Sequence, residues 1–268
     1  MLRRYEKKVF IFIFGLLFPL MISAQASGGQ ITRKSRSSNS HAKRQHYKES
    51  RQPSNSVKLN NGTIIIYETS KEVNLGLPSG TIWAGWNIGA ENPLEYGKYY
   101  AWGETREKAW YDWDTYTDTR SYSKQIVGSS TYDEVCFTNY KVEGKTSIIG
   151  TQYDVASTTW GREWQMPTTK QLDELVHECK ISMTTIDGKN YVIYTGPNGK
   201  SMIFPVTGER YKNDFRNNYS ELVWSGELYP YTEASSQNSY FAYYLSSSNV
   251  GSHGFRCHGM NVRAVKAK

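Results

Sequence analysis

The chain has 268 residues, with 32 basic and 25 acidic side chains, 14% aromatics and three cysteines. Residues 1–58 hold 12 of the basic and 2 of the acidic side chains, so residues 59–268, with 20 and 23, are mildly acidic. That balance excludes a domain built to hold nucleic acid on a basic face. Three cysteines with no CxxC pair exclude a dense disulfide framework or a cysteine-rich zinc site.

Residues 1–26, MLRRYEKKVFIFIFGLLFPLMISAQA, begin basic, run apolar from Val9 to Ile22 and end in small residues. This pattern predicts a secretory signal peptide, because the apolar run falls short of the roughly 20 residues that span a bilayer. Cleavage is expected after Ala26 or Ala24, and no cysteine follows to carry a lipid. The mature chain is therefore expected to be exported to the periplasm, cell surface or medium, with no transmembrane segment. Residues 27–58 carry a strong positive charge and few apolar side chains. They are expected to form a basic disordered linker, since they bury too little to offset the entropy of ordering. A solvated spacer is the plain reading, although the charge would also suit an anionic surface polymer.

Residues 59–268 are long enough for one sizeable domain and hold all eight Trp of the chain. Short apolar runs bounded by turn residues predict strands at 62–68, 73–77, 81–89 and 98–104. Residues 105–150 read as long polar loops. Within them Asp112, Asp114 and Asp118 are grouped, but neither the glycine nor the closing glutamate of a calcium loop is present, so a solvated loop is expected. Further on, YVIYTGPNGKSMIFP (191–205) predicts a hairpin, its β-rich arms joined at Asn198-Gly199. A last strand is expected at NVRAV (261–265).

Between these lies WGREWQMPTTKQLDELVHECK (160–180). Thr168 followed three residues later by Gln171 is a capping box, which starts a helix. Leu172, Leu175, Val176 and Cys179 fall on one stripe, while His177 and Glu174 lie about 140° and 200° away from Leu172 at helical periodicity. Glu174 and His177 are thus expected on the outer face rather than as metal ligands, for which a second Glu-x-x-His would be needed.

The segment GREWQMPTTKQLDEL resembles the G-x-x-W-R-[LM]-P-T-x-x-[EQ]-[WL] signature of a large group of secreted bacterial domains, the "major paralogous domain" proteins of Bacteroidetes and Fibrobacter. VNLGLPSGTIWAGWNIGA (73–90), NPLEYGKYYAWGET (92–105), YTGPNGKSMIFPVTGER (194–210), Trp224-Ser225 and GMNVRAV (259–265) are similar to further family segments, in the same order. The resemblance covers about residues 72–265. It implies an α+β, C-type-lectin-like domain with few helices, twisted antiparallel strands, long loops and ends close together. The family is related more distantly to the formylglycine-generating (sulfatase-modifying) branch and to lectin-like proteins diversified by retroelements. The chain departs from the pattern at Gly85, where a cysteine is common, and at Gln165 and Ala264, where Arg and Pro are usual. With Gly85 in place, the pairing of Cys136, Cys179 and Cys257 is left open. Trp83, Trp102 and Trp164 are most simply packing residues, and Arg263 a structural arginine bonded to loop carbonyls.

Function is expected to be binding rather than catalysis. The segment 227–258 is crowded with Tyr, Ser, Asn, His and Gly, a composition that gives contact area and hydrogen bonding at low entropic cost. In the diversified relatives the ligand face lies in this C-terminal segment. The expected contacts for a glycan or protein ligand, in adhesion at a cell surface, are Tyr229, Tyr231, Asn249, His253, Phe255, Arg256 and His258. Tyr240, Phe241, Tyr243, Tyr244 and Leu245 read as core strand. No metal, cofactor or catalytic residue is assigned. Formylglycine chemistry looks for a thiol pair that holds copper, and only Cys257 is present near the C-terminal end. A structural or tip subunit of a surface assembly, attached through the basic linker, is the alternative.

Overall fold

The computed structural model describes residues 54–127, 130–137, 146–230, 240–247 and 251–267, all within the compact unit Ser50–Lys268. The expected signal peptide and residues 27–53 of the expected linker lie outside the described residues. The linker boundary at 58 is corrected: Ser56–Lys58 is a strand, β1, paired with β2 (Ile64–Ile66), and Val57 is buried.

The fold is mainly β, with antiparallel strands in small sheets and two helices among the described residues. No described helix is long and apolar enough to cross a membrane. Its centre is a four-stranded sheet containing β3 (Glu72–Asn74) and β4 (Ile82–Ala84). Val73 pairs with Trp83, and Trp83 with Val265 of β16 (Val265–Lys266), which in turn pairs with β7 (Trp164–Gln165). The expected last strand is thus shifted toward its end, although Ala84 and Ile88 still bond back to Ala264 and Val262. Both ends of the segment 72–265 meet in this one sheet.

Arg263 fixes the junction. It is fully buried, donates to Asn87 Oδ1 and to the Ala84 and Ile203 carbonyls at 2.8, 3.2 and 3.1 Å, and lies 3.9 Å over the Phe204 ring. Burial lowers its pKa to about 9, because no charged partner compensates desolvation among the described residues. Trp83, Trp102 and Trp164 are buried packing residues, as the sequence suggests.

Two helices close the core. In α1 (Val155–Trp160), the Asp154 side chain accepts from the Ala156 and Ser157 amides, and it also takes the Gly150 and Met166 amides. In α2 (Thr169–Glu178) the Thr168–Gln171 capping box is formed in both directions. Leu172, Leu175 and Cys179 pack with Val73, Trp83, Tyr194 and Phe204. Burial raises the Cys179 thiol to about 12, so it is a packing group. At Gly85, where the related pattern has cysteine, a Cβ would meet the Ser70 carbonyl at 2.1 Å, so the site accepts only glycine. On the outer face of α2, Glu174 is not simply solvated: it accepts from the Ser79 amide and hydroxyl at 2.7 and 2.5 Å.

The hairpin of β9 (Lys189–Thr195) and β10 (Ser201–Pro205) forms as expected, with Gly199 at φ 80°, and β8 (Lys180–Ile186) joins it across an Asp187-Gly188 turn. Two expectations are corrected. Residues 98–104 form no strand, because Gly97 and Gly103 take positive φ and interrupt the extended run; only Tyr100 bridges to Met260. Residues 105–150 are not all loop: β5 (Thr119–Val127) pairs with β6 (Ser130–Phe137). Thr119, Tyr122, Ile126 and Val127 in one strand and Thr131, Tyr132, Val135 and Phe137 in the other are residue types that favour a ladder despite the polar composition. The loop before them is folded inward, with Tyr111, Trp113 and Tyr116 buried.

Candidate ligand-binding face

After the short hairpin of β11 (Glu209–Tyr211) and β12 (Asp214–Arg216), the chain enters a three-stranded sheet. Its order is β13 (Val223–Leu228), β14 (Phe241–Leu245) and β15 (His253–Phe255). Side chains alternate across such strands with period two. Ala242 is buried with Tyr244 packed against the same core, whereas Phe241 and Tyr243 stay half-buried on the other face. The register sets Phe241 opposite Phe255 and Tyr243 opposite His253, so four rings share that face.

The rings touch. Tyr229, just past β13, stacks on His253 with centroids 3.8 Å and planes 18° apart. It meets Tyr243 edge-on at 5.1 Å. Phe241 packs on His253 at 5.2 Å and on Phe255 at 4.7 Å, and Phe255 rests against the buried Trp113. His253 is exposed and Phe255 is 38% exposed. The result is a continuous aromatic strip that offers flat apolar area, an imidazole and tyrosine hydroxyls. Such side chains give large contact area with few torsions to freeze.

Tyr229, His253 and Phe255 are therefore brought together. Tyr231 and Asn249 lie outside the described residues. Arg256 is corrected: it is fully buried on the inner side of the sheet and cannot serve as an exposed contact. Its guanidinium pairs with the equally buried Asp118, donates to the Tyr116 hydroxyl at 3.1 Å, and lies over the Trp102 and Tyr116 rings. Asp118 is thus no solvated loop residue either. The alternation that puts 253 and 255 outward puts 256 inward. His258 is also corrected as a surface contact. It is 7% exposed, hydrogen-bonds Glu209 through Nδ1 at 2.8 Å, and sits between the Tyr211 and Phe255 rings. Asn217 holds the other Glu209 oxygen at 2.7 Å. Phe241 and Tyr243 are the residues missed, and the alternation in FAYYL was the signal for them.

Cys257 is buried in the cluster of Tyr99, Tyr111, Trp113 and Tyr116 beneath the sheet. Among the described residues no three His, Cys, Asp or Glu side chains gather where they could hold a metal ion. No family model, curated protein or solved structure matches this chain.

Proposed function

We propose that this chain is an exported, non-enzymatic recognition module of the C-type-lectin-like kind. Its β13–β15 face takes a glycan or protein ligand. The observation that carries the reading is the contiguous strip of Tyr229, His253, Phe241 and Phe255. Its rings are packed against one another, so little side-chain freedom is left to lose on binding. The buried Arg256–Asp118 pair supports it from beneath, on the inner side of β15.

The test is a glycan and surface-protein array probed with the full-length chain, with and without chelator. Saturable binding to one ligand class, kept in chelator, is expected. His253→Ala with Phe255→Ala should abolish it in a chain that still unfolds cooperatively, with stability lower by about 1–3 kcal/mol because Phe255 loses its packing on Trp113 and Phe241. Binding that survives the double substitution would refute the face. No binding to any spot would leave a surface-assembly subunit as the better reading.

A further inference from the structure

The sheet of β10, β9 and β8 ends at β8 (Lys180–Ile186), and the bonds of β9 fix which groups of β8 face outward. The Asn190 carbonyl accepts from Val206, and the Gly196 amide, just past β9, donates to the Lys200 carbonyl. Even-numbered positions of β9 therefore turn toward β10, and odd-numbered ones toward β8. The register sets those odd positions opposite Lys180, Ser182, Thr184 and Ile186. The amides and carbonyls of Ile181, Met183 and Thr185 point the other way, with no hydrogen-bond partner among the described residues.

Open edges are commonly blunted by a bulge, a proline, a charge in mid-strand or sheer brevity. β8 has seven residues in unbroken register with β9, no proline, and no charge between Ile181 and Ile186. At its centre Met183 is 54% exposed, on the same face as Ile181, which packs against the core under α2.

The edge is also complementary to itself. A two-fold axis at Met183 pairs the strand antiparallel with a second copy, Met183 facing Met183 and Ile181 facing Thr185. Every outward position then exchanges both of its backbone bonds with the residue opposite, as in the closely bonded pairs of an antiparallel ladder. Charge agrees with that direction. Lys180 at one end of the strand and Asp187 in the turn past the other end are both exposed. Antiparallel pairing brings each beside its opposite on the second copy, whereas a parallel partner would align like charges.

We infer that β8 is a homodimer interface, in which two chains join their three-stranded sheets edge to edge across a two-fold axis at Met183. The same surface serves both partners, as closed two-fold assembly requires. Contacts along one strand edge bury less than a standard protein–protein interface, so the association is weak and concentration-dependent. Such a dimer carries the proposed binding face twice; that consequence rests on the function proposed above, whereas the pairing does not.

The experiment is sedimentation velocity on the full chain, with the chain from residue 27 onward as a control for the apolar leader. Monomer should convert to dimer between about 1 and 500 µM, the range of weak interfaces. Met183→Lys places two ammonium groups face to face at the axis and should weaken association about tenfold or more, and Met183→Glu should do the same with carboxylates. Each variant should melt like the parent at low concentration, because the side chain is exposed and its backbone bonds are unused within one chain. Mixing the two variants in equal amounts should restore the dimer, since opposite charges then meet across the axis. A chain that stays monomeric to about 500 µM, or a dimer indifferent to Met183→Lys, would overturn the interface. A mixture of the two variants that fails to pair would overturn the register centred on Met183.

Discussion

Two arginines, both fully buried and close together in sequence, anchor two different regions. Arg263 holds the central sheet by donating to carbonyls and an amide oxygen on β4, the loop after it and β10. Arg256 holds the candidate binding sheet to the aromatic loop through a charge, the Asp118 carboxylate. Fixed backbone dipoles tie the frame together independently of any titratable group. A buried ion pair makes each partner dependent on the other. Its net contribution is small compared with an apolar pair of the same shape, but losing one half strands a charge. The binding face is therefore attached by the more breakable of the two joints.

The largest effect should come from splitting that joint. Asp118→Ala should cost about 3–5 kcal/mol in denaturant unfolding, because Arg256 stays buried without its counter-charge. Adding Arg256→Met to the same chain should restore much of the loss. A single substitution costing under about 1 kcal/mol would show that the pair does not hold the sheet. Arg263→Met strands acceptors rather than a charge and should cost less, about 1–3 kcal/mol.

Next in size is the frame's apolar packing. Leu175→Ala, on the buried stripe of α2, should cost about 2–5 kcal/mol as a large-to-small core change. It should leave ligand binding by the folded fraction intact, since the buried cluster that holds Leu175 contains none of the described strip residues. Reduced affinity at full folding would blur the distinction between frame and face.

The smallest and most gradual effect is on pH. Glu221 is fully buried, and desolvation raises its pKa although Tyr194, Ser220 and Ser247 donate to it. Asp154 is raised by the same cause. A folded pKa above the unfolded one means that the native state binds more protons. Stability is then full below the ordinary carboxylate range and falls as pH rises toward the shifted value. The slope is at most about 1.4 kcal/mol per pH unit for each group. Glu221→Gln should flatten this decline in thermal melts across pH, and an unchanged slope would exclude Glu221 as its source.

What could be read from the residues alone followed local rules. The Thr168–Gln171 box, the Leu172/Leu175/Cys179 stripe and the Asn198-Gly199 turn each need only a few neighbouring positions. Arg263 was legible as a structural arginine because it sits inside NVRAV, an apolar run that reads as a strand. Arg256 was misplaced because its direction depends on the register of β15, a strand of three residues. Phe241 and Tyr243 were missed because an aromatic run looks like core until alternation assigns its faces. The β5–β6 ladder was hidden by polar side chains, which say little about pairing that satisfies backbone groups. Gly85 was visible as a departure from a related pattern, but its cause, the Ser70 carbonyl, lies in another turn.

The place of β16 has a consequence for biosynthesis. It lies between β4 and β7, and Arg263 reaches back to Ala84 across 179 residues. During translation β4 therefore emerges long before its partner and presents an open hydrogen-bonding edge beside Trp83. Late closure of so distant a pairing is slow, and open edges invite pairing between nascent chains. A ribosome stalled before residue 263 would release a chain that holds its helices and hairpins yet cannot close its central sheet. Closure of the central sheet thus waits on the synthesis of residues 263–266.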